Sequence, residues 1–250
     1  MTAVVGVLCE DGVVVGTDSS ETFSAGTIPT IEQKTKKIDI VENSVIIAGT
    51  GQIGLGQRFV GLVEQAYHDK LFTKNYLEVG RYLSKAAIEN FASTYSDKMQ
   101  YGALLAYSSG GSFYLCEFAE RDFQPEWKNA NIWYVSLGCG QRITDPFLGF
   151  IRKIFWKDKM PKVASATFIV TWTIQNVIEL NAGGINEPIQ LAVLRRTVRD
   201  HHFQATIVTD EELREHMGNV IEVEKYLGKF KAEFCDETAP AIPKLNTKET

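Results

Sequence analysis

The sequence has little that would hold a metal, a membrane or a polyanion. Its 250 residues include only four cysteines and four histidines. Cys9, Cys116, Cys139 and Cys235 have no metal-ligand or redox spacing, so they read as buried or incidental thiols and no metal is expected. His201 and His202 are adjacent, which on a strand turns them to opposite faces, and they read as surface residues. An excess of positive charge is also missing. Lys and Arg number 26 against 31 Asp and Glu, a formal net charge of -5, which argues against a nucleic-acid partner. No apolar run reaches the roughly 18 residues of a membrane span. The best candidate, residues 163–180, is broken by Ser165, Thr167, Thr171, Thr173, Gln175, Asn176 and Glu179. A basic start is lacking, and Glu10 and Asp11 interrupt the first apolar stretch, so no signal peptide is read and a cytoplasmic protein is expected.

What is present is core. Hydrophobic residues make up 44% and charged residues 23%, the balance of a folded chain rather than a disordered one. Residues 3–9 and 13–15 are β-branched apolar runs joined by Glu10-Asp11-Gly12, a tight-hairpin signal. A loop rich in Ser, Thr and Gly is expected next, ending near Pro29. Ile38 and Ile40 alternate with Lys37 and Asp39, as on a half-buried strand, and residues 45–48 return beside it. Two helical faces follow, one through Leu55, Phe59, Leu62, Val63 and Ala66, the other through Leu77, Leu83, Ala87 and Phe91 with Asn75 as cap. Strands are expected at 103–107, 112–118 and 132–137, helices at 145–157 and 163–179, and short strands at 190–194 and 205–208. A last helix opens at Asp210 and is expected to fade by Gly228. Hairpins argue for antiparallel sheets whose faces the helices must cover. The expected fold class is α+β, a four-layer αββα sandwich of two antiparallel sheets between helix pairs. Residues 2–230 are expected to form one domain, and residues 231–250 a loosely ordered C-terminal extension.

Thr2 follows the initiator Met1, which is usually trimmed before a small side chain. A free N-terminal threonine carries its own base, an α-amine with a pKa of roughly 7.7–8. That amine can take the hydroxyl proton, directly or through water, and activate an otherwise weak nucleophile. Position alone does not distinguish this from an ordinary second residue.

Four blocks supply the distinction. Thr2-Ala-Val-Val-Gly-Val, then Glu10-Asp-Gly-Val-Val-Val-Gly-Thr-Asp18, then Lys36-Lys37-Ile38, then Ile47-Ala48-Gly49 resemble the β-type subunits of proteasomes in order and nearly in spacing. Gly138-Cys139-Gly140 resembles the family's Gly-Ser-Gly segment, and Asn181-Ala182-Gly183-Gly184 its segment ending in Gly-Gly. The resemblance covers residues 2–225. Within the family, the long tail and the segment Gly183-Gly-Ile-Asn-Glu-Pro188 point to the beta-proteobacterial proteasome homologue. The resemblance implies an N-terminal-nucleophile (Ntn) hydrolase fold and a threonine peptidase. Its nucleophile would be Thr2, with Asp18 orienting Lys37, Lys37 favouring the alkoxide, and Gly49 offering its N–H to the oxyanion. Lys34 and Lys36 compete with Lys37, which is preferred because it directly precedes Ile38, as in the family. Thr22 and Gly51, with Gly49, are the implied edges that bind substrate main chain, and Ile47 and Glu21 the implied walls of the pocket for the residue before the cut.

This chain departs from the family pattern at supporting positions. Cys139 stands for a serine, Glu179 for an aspartate, Ala182 for a second serine, and Ser20 for a common arginine. Cysteine donates a hydrogen bond poorly, and the alanine side chain cannot donate at all. The resemblance further implies a homo-oligomer of stacked rings, heptamers paired into a tetradecamer, acting on peptides or unfolded protein fed by an ATP-dependent unfoldase. No cofactor is implied, because one residue supplies both nucleophile and base. The alternatives are a non-catalytic or weakly active ring subunit, a small-molecule Ntn amidase, a cysteine protease built on Cys139, and a dinucleotide binder built on Gly49-Thr-Gly51-Gln-Ile-Gly54.

Overall fold

A strand with no polar side chain on either face needs cover on both. The run Val-Val-Gly-Val-Leu-Cys forms β1 (Val4–Cys9), and Gly12–Thr17 forms β2; every residue of both strands is buried. They pair antiparallel with Cys9 opposite Gly12, so Glu10 and Asp11 make the turn. Asp11 Oδ1 also accepts the Val163 N–H at 2.8 Å, satisfying an otherwise orphaned donor at the start of a later helix. The computed structural model describes residues 2–25, 28–94, 100–180, 184–197 and 202–235.

Next come β3 (Ser20–Ala25) and β4 (Ile28–Lys34), then β5 (Ile38–Val41), β6 (Val45–Gly51), α1 (Ile53–His68) and α2 (Tyr76–Ala92). After them lie β7 (Tyr101–Ser109), β8 (Ser112–Phe118), β9 (Pro125–Trp127), β10 (Tyr134–Leu137), α3 (Gln141–Ile151), α4 (Val163–Glu179), β11 (Gln190–Arg196), β12 (Phe203–Ile207) and α5 (Asp210–Cys235). One five-stranded sheet has the order β10-β1-β2-β11-β12 and the other β5-β6-β7-β8-β9, with every pairing antiparallel. The sheets stack on each other. α1 and α2 cover the β6 side, α3 and α4 the β1 side, and α5 packs on α4. Two apolar clusters fill the layers. One joins the two sheets to α3 and α4 through Val5, Val15, Leu104, Leu115, Ile169 and Val170. The other lies under α1 and α2 around Phe59, Leu83, Phe91, Leu105 and Phe118. No helix among the described residues is long and apolar enough to cross a membrane.

The four-layer αββα sandwich is therefore present, with three corrections to the sequence reading. The expected loop before Lys37 is a hairpin of β3 and β4, with a register irregularity at Phe23/Ser24. Its Ser- and Thr-rich composition carried no apolar alternation to announce a strand. α3 starts at Gln141 rather than 145 and contains Pro146; the proline hid the turn before it. α5 runs to Cys235 rather than stopping at Gly228. Residues 231–235 are thus helical, and residues 236–250 of the expected extension lie outside the described residues.

Candidate active site

Strand register assembles the site before any side chain is considered. On one flank of β1, Val4 pairs with Thr17, so the hairpin continues to Ala3 beside Asp18, and the Asp18 N–H reaches the Ala3 carbonyl at 3.4 Å. On its other flank Val4 pairs with Leu137, which sets Gly138 and Cys139 beside Ala3 and Thr2. In the second sheet, Ile38 pairs with Ala48, which sets Lys37 against Gly49. Both sheets present these ends on the same side of the molecule.

Asp18 is fully buried. Its Oδ1 accepts the Ala3 N–H and its Oδ2 the Ser20 N–H, each at 2.9 Å. The Lys37 ammonium sits 3.0 Å from both oxygens. The same ammonium lies 3.1 Å from Thr2 Oγ1. Thr2 is 9% exposed, and the lysine side chain 8%. In so dry a setting a cation acts on a neighbouring oxygen far more strongly than in water. Lys36 instead pairs with Asp39 at the surface, 3.0 Å away with side chains 66% and 44% exposed. Lys34 is exposed on β4 opposite Ser20.

The loop after β10 wraps the first residue. The Gly140 N–H donates to the Thr2 carbonyl at 3.2 Å. The Thr2 nitrogen, an amide while Met1 is attached, donates to Cys139 Sγ at 3.3 Å. Gly138 has φ +89, and a Cβ there would stand 2.2 Å from the Thr2 carbonyl oxygen. Gly138→Ala is expected to cost about 1–3 kcal/mol, read as a lower denaturant midpoint, and to displace Thr2. An unchanged midpoint would show that the loop yields freely. Cys139 is exposed, whereas Cys9 and Cys116 are buried, and desolvation pushes both of their thiols up.

Gly49, Thr50 and Gly51 pair with β7 on one edge. β5 begins at Ile38 opposite Ala48, so their other edge carries no strand among the described residues. A side chain at Gly49 would collide with Tyr101, its Cβ 2.5 Å from the phenol oxygen. A cavity of about 290 Å³ opens beside Thr2, lined by Glu21, Thr35, Lys37, Ile47, Gly49, Gly51 and Tyr101, with Ile53 and Val60 from α1. Thr22 lies on β3, its Oγ1 buried without a hydrogen-bond partner among the described residues.

One expected supporting residue stands apart. Glu179, the last residue of α4, is exposed and accepts from Gln175 at 2.8 Å. No hydrogen bond among the described residues links it to Thr2 or Cys139. Ala182 and Asn181 lie outside the described residues. Ser20 donates through its hydroxyl to Glu32. That bond and one from Asn186 hold the Glu32 carboxyl below the usual carboxylate range. Sequence reasoning missed Gln190. Its side chain accepts the Lys37 N–H at 3.0 Å and donates to the Thr35 carbonyl at 2.7 Å. The available signal was one polar residue heading the apolar strand Gln-Leu-Ala-Val-Leu.

The family described as Proteasome subunit matches residues 2–117. That stretch holds Thr2, Asp18, Lys37 and Gly49. The chain has the α+β proteasome-type fold. Similar solved structures span nearly its full length. The Anbu (Gly-1) mutant from Hyphomicrobium sp. strain MC1 superposes with a TM-score of 0.70 at 14% identity, covering 92% of this chain and 100% of that one. Anbu, an ancestral beta-subunit, from Yersinia bercovieri gives 0.70 at 12% identity, covering 97% and 98%. The helical assembly of the Anbu complex from Pseudomonas aeruginosa gives 0.68 at 12%, covering 97% and 98%. No curated protein matches the sequence. In this proteasome-type frame β6 is antiparallel to both neighbours and α1 leads into α2, so Gly49-Thr-Gly51 does not open a parallel dinucleotide-binding unit.

Proposed function

We propose that this chain is a threonine peptidase whose nucleophile is Thr2 after removal of Met1. One observation carries the proposal. A single ammonium, that of Lys37, is held by both oxygens of buried Asp18 and touches the Thr2 hydroxyl. The freed α-amine takes the hydroxyl proton, and Oγ1 attacks the peptide carbonyl to form a tetrahedral oxyanion. Lys37 favours the alkoxide as it forms, and the Gly49 N–H is the proposed oxyanion donor, a role worth roughly 2.7–4 kcal/mol. Collapse breaks the C–N bond, the amine returns its proton to the leaving nitrogen, and an ester on Thr2 remains. Water, deprotonated by the same amine, cleaves that ester and regenerates the hydroxyl. Substrate main chain adds to the open edge at Gly49–Gly51 and to β3 at Thr22, as peptides do at exposed strand edges. Ile47 and Glu21 line the pocket for the residue before the cut.

The proposed particle is a closed homo-oligomer of stacked heptameric rings in the cytoplasm, acting on unfolded chains delivered by an ATP-driven unfoldase. Exposed Phe150, Ile154 and Phe155 on one side, and Tyr226, Leu227 and Phe230 on α5, are apolar surface of the kind that subunit contacts cover. A second reading, a ring subunit with little or no hydrolysis, draws on Cys139, which puts a thiol where the family has a hydroxyl donor. Intact mass before and after a peptide epoxyketone separates the two. The expected result is a chain lacking one Met and carrying one adduct on Thr2. A particle that keeps Met1 and takes no adduct would reject the peptidase. Native mass of the same sample counts the subunits, and a peptide panel distinguishes a peptidase from a small-molecule amidase.

A further inference from the structure

Lys37 lies in the connector between β4 and β5, outside both strands. Its ammonium must nonetheless stay on one oxygen, that of Thr2. We propose that Gln190 is the positioning residue that holds Lys37 on Thr2. The proposal rests on the reading of Thr2 as nucleophile.

Gln190 is the first residue of β11, in the sheet opposite β5, and pairs with Thr17, next to Asp18. From there its side chain crosses to the connector. Oε1 accepts the Lys37 N–H at 3.0 Å, and Nε2 donates to the Thr35 carbonyl at 2.7 Å and to Ser19 Oγ at 2.5 Å. The Ser19 hydroxyl in turn donates to the Pro188 carbonyl at 2.5 Å. The Ser19 carbonyl accepts the Thr35 N–H at 2.8 Å. One amide thus ties the segment after Asp18 to the segment that carries Lys37. Its acceptor and both its donor hydrogens are used, so it has one orientation and no slack. Residues that lock a catalytic group through its backbone act on distance, and a misplacement of about 1 Å can cost on the order of a hundredfold in rate.

Gln190→Met keeps the length and apolar bulk of the side chain and removes all three hydrogen bonds. In assembled particles it is expected to slow epoxyketone labelling of Thr2 and kcat by about tenfold or more, with KM little changed, because no substrate-lining group is altered. The acidic limb of the kcat/KM profile is expected to move to higher pH, since an ammonium that drifts from Thr2 no longer disfavours protonation of the α-amine. A merely structural role lowers the amount of assembled particle and leaves that limb in place. If Gln190→Met fails to assemble, Ser19→Ala, which removes one partner of the amide, carries the same measurements with a smaller expected loss. Wild-type labelling with an unshifted limb and unchanged kcat in the variant overturns the positioning role alone. A wild-type chain that takes no label overturns the nucleophile reading and this inference with it.

Discussion

Thr2→Ala is expected to yield a folded, assembled particle that neither cleaves peptides nor takes up an epoxyketone. The folding cost should be small. Lys37 loses the Thr2 hydroxyl and keeps both oxygens of Asp18, a change of about 1 kcal/mol by the usual worth of a hydrogen bond. The chemical cost should be total for practical purposes. Removing a nucleophile that works as a unit with its base can cost on the order of a millionfold in kcat. Thr2→Ser should retain labelling, because it keeps both the hydroxyl and the amine. The checks are intact mass after inhibitor, peptide turnover, and native mass to show that the particle is unchanged. Turnover within tenfold of wild type in Thr2→Ala would move the nucleophile elsewhere, with the exposed Cys139 thiol as the first place to look.

Breaking the Asp18–Lys37 pair from its two ends should give two different proteins. Asp18→Ala strips four contacts at once. The Ala3 and Ser20 N–H groups lose their acceptor in a fully buried site, and the Lys37 ammonium loses its counter-charge. Breaking a buried ion pair by removing one partner costs about 3–5 kcal/mol, and the two amides add to it, so lower stability and poor assembly are expected. Lys37→Ala leaves the carboxylate with both backbone donors. It should fold and assemble better than Asp18→Ala, while labelling of Thr2 falls by roughly a hundredfold to a thousandfold, as for loss of a preorganised electrostatic group. Urea unfolding read beside labelling rate separates the two effects. Undiminished labelling in Lys37→Ala would return the role to Lys34 or Lys36, although Lys36 is held by Asp39 at the surface.

The places where sequence and structure disagree share a physical cause. Apolar pattern announces an element only where burial is extensive and regular. It marked β1, β2, β5, β6, α1, α2 and α4, which line the two cores. It passed over β3 and β4, whose polar hairpin belongs to neither five-stranded sheet, and β9, which is three residues long. Site positions divided in the same way. Glu179 was carried over by resemblance at the end of a helix, and a helix end can be aligned without its side chain turning inward; here it is exposed and bonded within its own helix. Gln190 went unremarked because no local rule gives meaning to one amide at the head of a strand.

The amino-acid order alone determined the front hairpin and much of what it does. A two-residue turn at Glu10-Asp11 between apolar strands forces Asp18 back to the start of the chain, because antiparallel register leaves no other place for it. The meeting of Thr2 with Lys37 was decided by tertiary structure. Lys37 precedes a strand of the opposite sheet, and its distance from Thr2 depends on how two sheets stack and on an amide that spans them. Register is a local property that sequence pattern encodes, whereas the gap between two packed sheets is set by every side chain in the core at once.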